Sequence, residues 1–248
     1  MLKVENISTG YGKKQVLFDV SFEVNKGDIV LLAGSNGSGK STLLKSIFGM
    51  LPLWKNDVSD KCGTITFDGE EINNSCKSMK FVSPTSALLK KGLLYIPQKN
   101  NLFEDLTVKE NLEMAGLTIT DKKVLQQRIE NTLSIFTSLV PHLLRTPMKL
   151  SGGERQLLTL AMATLHEPKM ILCDEPFTGL AGKNLTFVSE NLTMLNKING
   201  TTLLIVEHRV KEVSTFANRV IGLKLGKVFS EVEVDTNFNI KELNSVFV

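Results

Sequence analysis

Residues 34–42 read Gly34-Ser35-Asn36-Gly37-Ser38-Gly39-Lys40-Ser41-Thr42 and match the spacing G-x-x-x-x-G-K-[ST]. Glycines at 34, 37 and 39 let the backbone turn tightly and aim successive N–H groups inward, where a Cβ would take the place of an anionic oxygen. A lysine at Lys40 reaches bound phosphates as a point charge, and the Ser41 hydroxyl is placed to meet a Mg²⁺ ion bridging them. A second chemical pair, Asp174 and Glu175, follows the apolar run Met170–Cys173. Open α/β sheets bind ligands at the carboxyl ends of their strands, where this pair falls. Alternate strand residues face opposite ways, which assigns Asp174 to the metal and Glu175 to polarising an attacking water. A third feature is Ser151-Gly152-Gly153-Glu154, a capping box that contains two glycines. Each helical glycine costs about 1 kcal/mol relative to alanine, so the bare backbone must serve something. A second phosphate clamp at a helix N-terminus uses it.

Chemistry of this kind needs strands that end at one place. The short apolar run Ile29–Ala33 reads as a buried strand leading into the glycine loop, and Leu43, Leu44, Ile47 and Phe48 recur at helical spacing behind it. Met170–Cys173 and Thr202–Val206 have the continuous apolar character of parallel strands covered on both faces. His208 follows the second run as Asp174 follows the first, within reach of a γ-phosphate or an attacking water. His142 and His166 lack that setting and are read as structural.

From Leu2 to Val30 the apolar residues alternate in short runs, broken at Thr9-Gly10-Tyr11-Gly12 and Asn25-Lys26-Gly27-Asp28, which predicts strands joined by turns; Gly63–Ile72 is one more. Thr107-Val108-Lys109-Glu110 is another capping box, and apolar positions 125, 129, 133 and 136 predict a helix within Asp121–Leu139. Strands alternating with helices imply an α/β core. Two long connections, Leu53–Lys61 around Trp54 and Asn73–Lys91, lengthen the spacing between motifs, and Trp54 is read as a packing anchor.

At 248 residues with one glycine loop, the chain is expected to carry one nucleotide site. Hydrophobic residues at 42% and charged residues at 22% favour neither disorder nor a membrane span, and no apolar run approaches the roughly 18 residues a spanning helix needs. The start Met1-Leu2-Lys3-Val4-Glu5-Asn6 has no export signal, so a cytoplasmic location is expected. The net charge of +3 argues against a nucleic-acid partner. Cys62, Cys76 and Cys173 show no C-x-x-C spacing and are expected to be free thiols.

Leu150-Ser151-Gly152-Gly153-Glu154-Arg155-Gln156 resembles the signature sequence of ABC-type ATPases. Gln98 in Tyr95-Ile96-Pro97-Gln98 resembles that family's Q-loop, His208 in Val206-Glu207-His208 resembles its switch histidine, and Tyr11 matches the aromatic that stacks on adenine. The resemblance runs from about residue 2 to 230. Within it, Gly92–Gly116 most resembles ATP-binding subunits of the branched-chain amino acid transporter type. Ala181 departs from the family, which usually has aspartate there, although the branched-chain type often lacks it too.

The resemblance implies one nucleotide-binding domain over 1–248: a P-loop NTPase core, an N-terminal antiparallel β subdomain and an inserted helical subdomain at about 99–165. ATP and Mg²⁺ are the implied cofactors, with Tyr11, residues 34–42, Gln98 and Ser151–Gly153 binding nucleotide, Ser41, Gln98 and Asp174 at the metal, and Lys40, Glu175 and His208 catalytic. It implies a head-to-tail homodimer or heterodimer with a second ATP-binding subunit, in which Ser151 of one chain closes over ATP held by the other's Lys40 loop. Separate multi-span membrane permease subunits would pass a small solute, branched-chain amino acids being the candidate, with this chain peripheral on the inner face of the cell membrane. Leu102, Phe103 and Leu106 resemble the surface that receives a short helix of the transmembrane subunit. The rival reading is a soluble ABC-type ATPase that drives assembly, repair or translation. Such proteins usually carry two nucleotide domains or a long coiled coil, and neither is visible in this sequence.

Overall fold

A computed structural model describes residues 1–55, 62–72, 85–99, 101–208 and 210–234. Residues 56–61 and 73–84 of the two long connections lie outside the described residues.

The elements in chain order are β1 (Leu2–Tyr11), β2 (Lys14–Val24), β3 (Ile29–Ala33), α1 (Lys40–Ile47), β4 (Thr64–Phe67), β5 (Glu70–Glu71), α2 (Thr85–Lys91), β6 (Leu93–Ile96), α3 (Val108–Ala115) and α4 (Lys122–Ile135). Two short 3₁₀ turns, Thr137–His142 and Pro147–Lys149, lead to α5 (Gly152–Thr164), β7 (Met170–Asp174), α6 (Lys183–Asn199), β8 (Thr202–Glu207), α7 (Val210–Ser214), β9 (Arg219–Lys224) and β10 (Lys227–Glu233). They build two sheets. One is antiparallel in the order β2-β1-β4-β5; the other runs β10-β9-β3-β8-β7-β6, parallel from β9 to β6 with β10 antiparallel at its edge.

The alternation of side chains explains how the large sheet is covered on both faces. Ile29, Leu31 and Ala33 of β3, Ile171 and Cys173 of β7 and Leu203 and Ile205 of β8 pack into one core with α3, α5 and α6. Val30, Leu32, Leu172, Leu204 and Val206 face the opposite core, with Leu43, Leu44 and Ile47 of α1 and the inward residues of the antiparallel sheet. Every residue of β3, β7 and β8 is buried, as a parallel sheet between two layers requires.

Local signals place the helix starts. Thr107 accepts the Glu110 N–H at 3.2 Å while the Glu110 carboxylate accepts the Thr107 N–H at 2.7 Å, so the box closes in both directions. Asp121 caps α4 by accepting from Lys123 and Val124, a contribution of about 1 kcal/mol. Trp54 is half-buried, and its backbone N–H donates to the Ser8 carbonyl at 2.7 Å, so the chain there extends the pairing of β1. One expectation is corrected: Cys62 is disulfide-bonded, while Cys173 is a buried free thiol. An odd cysteine count requires one unpaired thiol, not three, and pairing depends on tertiary approach that spacing does not reveal. Cys76 lies outside the described residues.

Candidate nucleotide site

Four adjacent parallel strands, β3, β8, β7 and β6, deliver their carboxyl ends to one edge of the sheet. Those ends carry the 34–42 loop, Glu207 with His208, Asp174 with Glu175, and Gln98. This convergence is where an open α/β sheet binds its ligand.

The loop between β3 and α1 is shaped by its glycines. A Cβ at Gly34 would lie 2.2 Å from the Leu223 carbonyl oxygen of β9, so only glycine fits this approach. Gly39 has φ 107°, a left-handed conformation that favours glycine. Ser35, Asn36 and Gly37 form the exposed crown, whereas Ser38, Gly39, Lys40 and Thr42 are buried. Lys40 Nζ donates to the Gly34 and Ser35 carbonyls at 2.8 and 2.9 Å, which folds its ammonium back over the loop. Burial pushes its pKa down, opposed by the carboxylates of Glu175, Asp174 and Glu207.

Alternation carries Asp174 to the face shared with Leu172, beside α1. There its Oδ1 accepts the Ser41 hydroxyl at 2.8 Å and its Oδ2 accepts the Tyr95 hydroxyl at 3.0 Å. Burial raises the Asp174 pKa, the two hydroxyl donors pull it back, and Glu175 adds to the rise. Burial likewise pushes the Tyr95 phenol up, with Asp174 reinforcing the shift. Glu175 has already left the strand: its φ is 51° and its N–H donates to the Val206 carbonyl at 2.9 Å. Its carboxylate accepts from the Gln98 amide and, at 3.0 Å, from the Thr178 hydroxyl. His208 stands at the end of β8 with its ring about half exposed.

The residues fit a magnesium nucleotide. Ser41 and Asp174 present hard oxygen donors side by side, next to a lysine-bearing loop whose Ser38 Oγ is buried without a partner among the described residues. Ser41 and Asp174 would supply the one or two protein oxygens that a Mg²⁺ accompanying phosphates takes.

The loop, Asp174, Glu175 and Gln98 thus meet within one chain, and Glu207 links His208 to them. Among the described residues, no hydrogen bond joins Ser151, Gly152 and Gly153 to the loop. Ser151 caps α5, its Oγ accepting the Glu154 N–H at 3.3 Å and the Glu154 carboxylate accepting the Ser151 N–H at 2.7 Å. That backbone bond holds the Glu154 carboxyl below the ordinary range, helped by His142, whose Nε2 is 3.0 Å away. The glycines also have a packing role: a Cβ at Gly152 would lie 3.2 Å from Leu180, and one at Gly153 3.1 Å from Asn184 of α6. Tyr11 ends β1 with its side chain exposed. Sequence reasoning missed Tyr95, Thr178 and Glu207. The alternation of β6 and β8 places the first and last at strand ends, but their partners are 79 and 30 residues away.

The fold and this constellation define a nucleotide-hydrolysing cassette. The chain belongs to the ABC transporter family, whose model matches residues 17–178; it is an ATP-hydrolysing, ATP-binding subunit of an ABC transporter. It is 35% identical over 228 residues, 92% of this chain and 91% of the relative, to the high-affinity branched-chain amino acid transport ATP-binding protein BraG of Pseudomonas aeruginosa. It is 31% identical over 250 residues, 100% of this chain and 97% of the relative, to the lipopolysaccharide export system ATP-binding protein LptB of Haemophilus influenzae. Among solved structures it superposes on a nucleotide-free ATP-binding cassette from an ABC transporter with a TM-score of 0.83 at 27% identity, covering 99% of this chain and 95% of that one. A dimeric bacterial ABC transporter cassette gives 0.77 at 25% identity, covering 95% and 99%.

Proposed function

We propose that this subunit energises the movement of branched-chain amino acids through separate membrane subunits, working as a dimer of cassettes. The observation that supports the solute class is the 35% identity to BraG over 92% of the chain; the dimer is supported by the dimeric cassette it resembles.

In this reading the whole chain is one nucleotide-binding domain with a helical subdomain at about 99–165. Tyr11 stacks on the adenine, and the N–H groups of residues 34–42 and the Lys40 ammonium hold the β- and γ-phosphates. Ser41, Asp174 and Gln98 would hold Mg²⁺, which would supply charge neutralisation at the phosphates. Glu175 orients the attacking water for in-line displacement at the γ-phosphate, and His208 contacts the γ-phosphate from the neighbouring strand end. Ser151, Gly152 and Gly153 of the partner chain close over the same nucleotide. No helix is long and apolar enough to cross a membrane among the described residues, so the solute passes through other chains. Phe103 is 47% exposed between Gln98 and α3, and an apolar groove of about 520 Å³ is lined by Leu89, Tyr95, Asn101, Met162 and His166. This surface is offered as the seat of the permease's helix.

Deleting the gene should abolish high-affinity uptake of labelled leucine and valine, restored by the wild-type chain and not by Lys40→Ala. Unchanged uptake together with a defect in lipopolysaccharide export would overturn the solute assignment.

A further inference from the structure

Glu207 ends β8 with its side chain completely buried. By alternation it occupies the face of Leu203 and Ile205, where the strand pattern calls for another apolar side chain. A carboxylate in such a place is costly unless donors hold it, and here its bonds go to two functional turns. Its Oε1 accepts the Phe177 N–H at 2.9 Å, and its Oε2 accepts the His208 N–H at 3.2 Å while lying 3.7 Å from the His208 Nδ1. Phe177 sits two residues beyond Glu175, in the turn where the Thr178 N–H donates to the Glu175 carbonyl at 3.2 Å and the Thr178 hydroxyl reaches the Glu175 carboxylate. One buried carboxylate therefore fastens the turn that aims Glu175 to the backbone that carries His208.

We propose that Glu207 is a positioning residue of the ATPase reaction, holding Glu175 and His208 in register with each other across the γ-phosphate position. This rests on the roles given above to Glu175 and His208. Fully buried, Glu207 acts through the two residues it ties. Its loss therefore alters turnover and leaves the phosphate loop able to bind.

The test is a mutant cycle in the full-length chain, reading ATPase kcat, ATP affinity and Tm for Glu207→Gln, His208→Ala and the double variant. Glutamine keeps the size of the side chain but replaces one acceptor with an amide donor facing an N–H. The expected result is a fall in kcat of about 10- to 100-fold, the scale on which a displacement of about 1 Å acts, with ATP affinity held within about threefold. The double variant should lose less than the product of the two single losses, because the part of the role that positions His208 has no value once His208 is gone, while the hold on the Glu175 turn still counts. Wild-type kcat in Glu207→Gln, a loss that multiplies with that of His208→Ala, or a parallel fall in kcat and ATP affinity would each overturn the inference. A wild-type rate in His208→Ala strikes the reading of His208 and this inference together, whereas a wild-type rate in Glu207→Gln strikes the inference alone. If Glu207→Gln lowers Tm too far for turnover to be read, Glu207→Asp, which keeps the charge but falls short of the Phe177 N–H, is measured by the same criteria.

Discussion

At the scale of single residues, the site is a buried cation among three carboxylates. Lys40 feels Glu175, Asp174 and Glu207 together, and Asp174 holds its proton more tightly than an ordinary carboxyl because burial outweighs the Ser41 and Tyr95 donors. The sign of the consequence follows from linkage. A carboxyl whose folded pKa lies above its ordinary 3.8 retains a proton that the unfolded chain has released. Its contribution to stability is complete below that ordinary value and is lost as pH rises through the folded one. Asp174→Asn removes this loss. The Tm of the nucleotide-free variant should therefore gain on wild type as pH rises through that window and level off beyond it, while its Mg²⁺-dependent gain in ATP affinity disappears. A Tm difference that does not change with pH would show that burial of the Asp174 charge carries no net cost.

At the scale of elements, two glycines open α5, and both bare backbone for phosphate and close approach of α6 call for them. The two demands separate in a double variant. Gly153→Ala adds about 1 kcal/mol of helix propensity but places its Cβ 3.1 to 3.3 Å from Asn184 atoms. In an Asn184→Ala background the Oδ1 and Cγ contacts are removed and only the Cβ at 3.3 Å remains, so denaturant unfolding should show Gly153→Ala stabilising by up to about that amount. ATP turnover should stay depressed if the backbone serves the nucleotide; recovery of full turnover would make the glycine a packing residue only. The same contrast marks what was legible in the sequence. The 34–42 loop and the capping boxes at Thr107 and Ser151 could be read because their partners lie close by in the chain. The strands β3, β7 and β8 were plain from apolar runs. The bonds of Tyr95 to Asp174 and of Glu207 to Phe177 join residues far apart in sequence, and only the strand order β3-β8-β7-β6 brings them to one edge. The pairing of Cys62 was not legible because it depends on tertiary approach that cysteine spacing does not reveal.

At the scale of the whole molecule, the proposed function assigns the chain two kinds of partner, a second cassette and a permease. The exposed Phe103 lies on the connection between Gln98 and α3, so a partner bound there could act on Glu175 through the Gln98 amide. Phe103→Ser should release the chain from permease-containing membranes and uncouple transport while basal ATPase and Tm stay within experimental spread; a drop of several degrees with loss of basal activity would make Phe103 a core residue. The central claim is that ATP held by the Lys40 loop is hydrolysed with Glu175, between two chains. It is tested most directly by Glu175→Gln, measured for turnover, ATP binding and mass in solution with ATP present. The account predicts ATP bound at wild-type affinity, turnover cut by about 10²- to 10⁴-fold, and a species of twice the chain mass that persists because the nucleotide is not consumed. Turnover near wild type, or a monomer saturated with ATP, would contradict it.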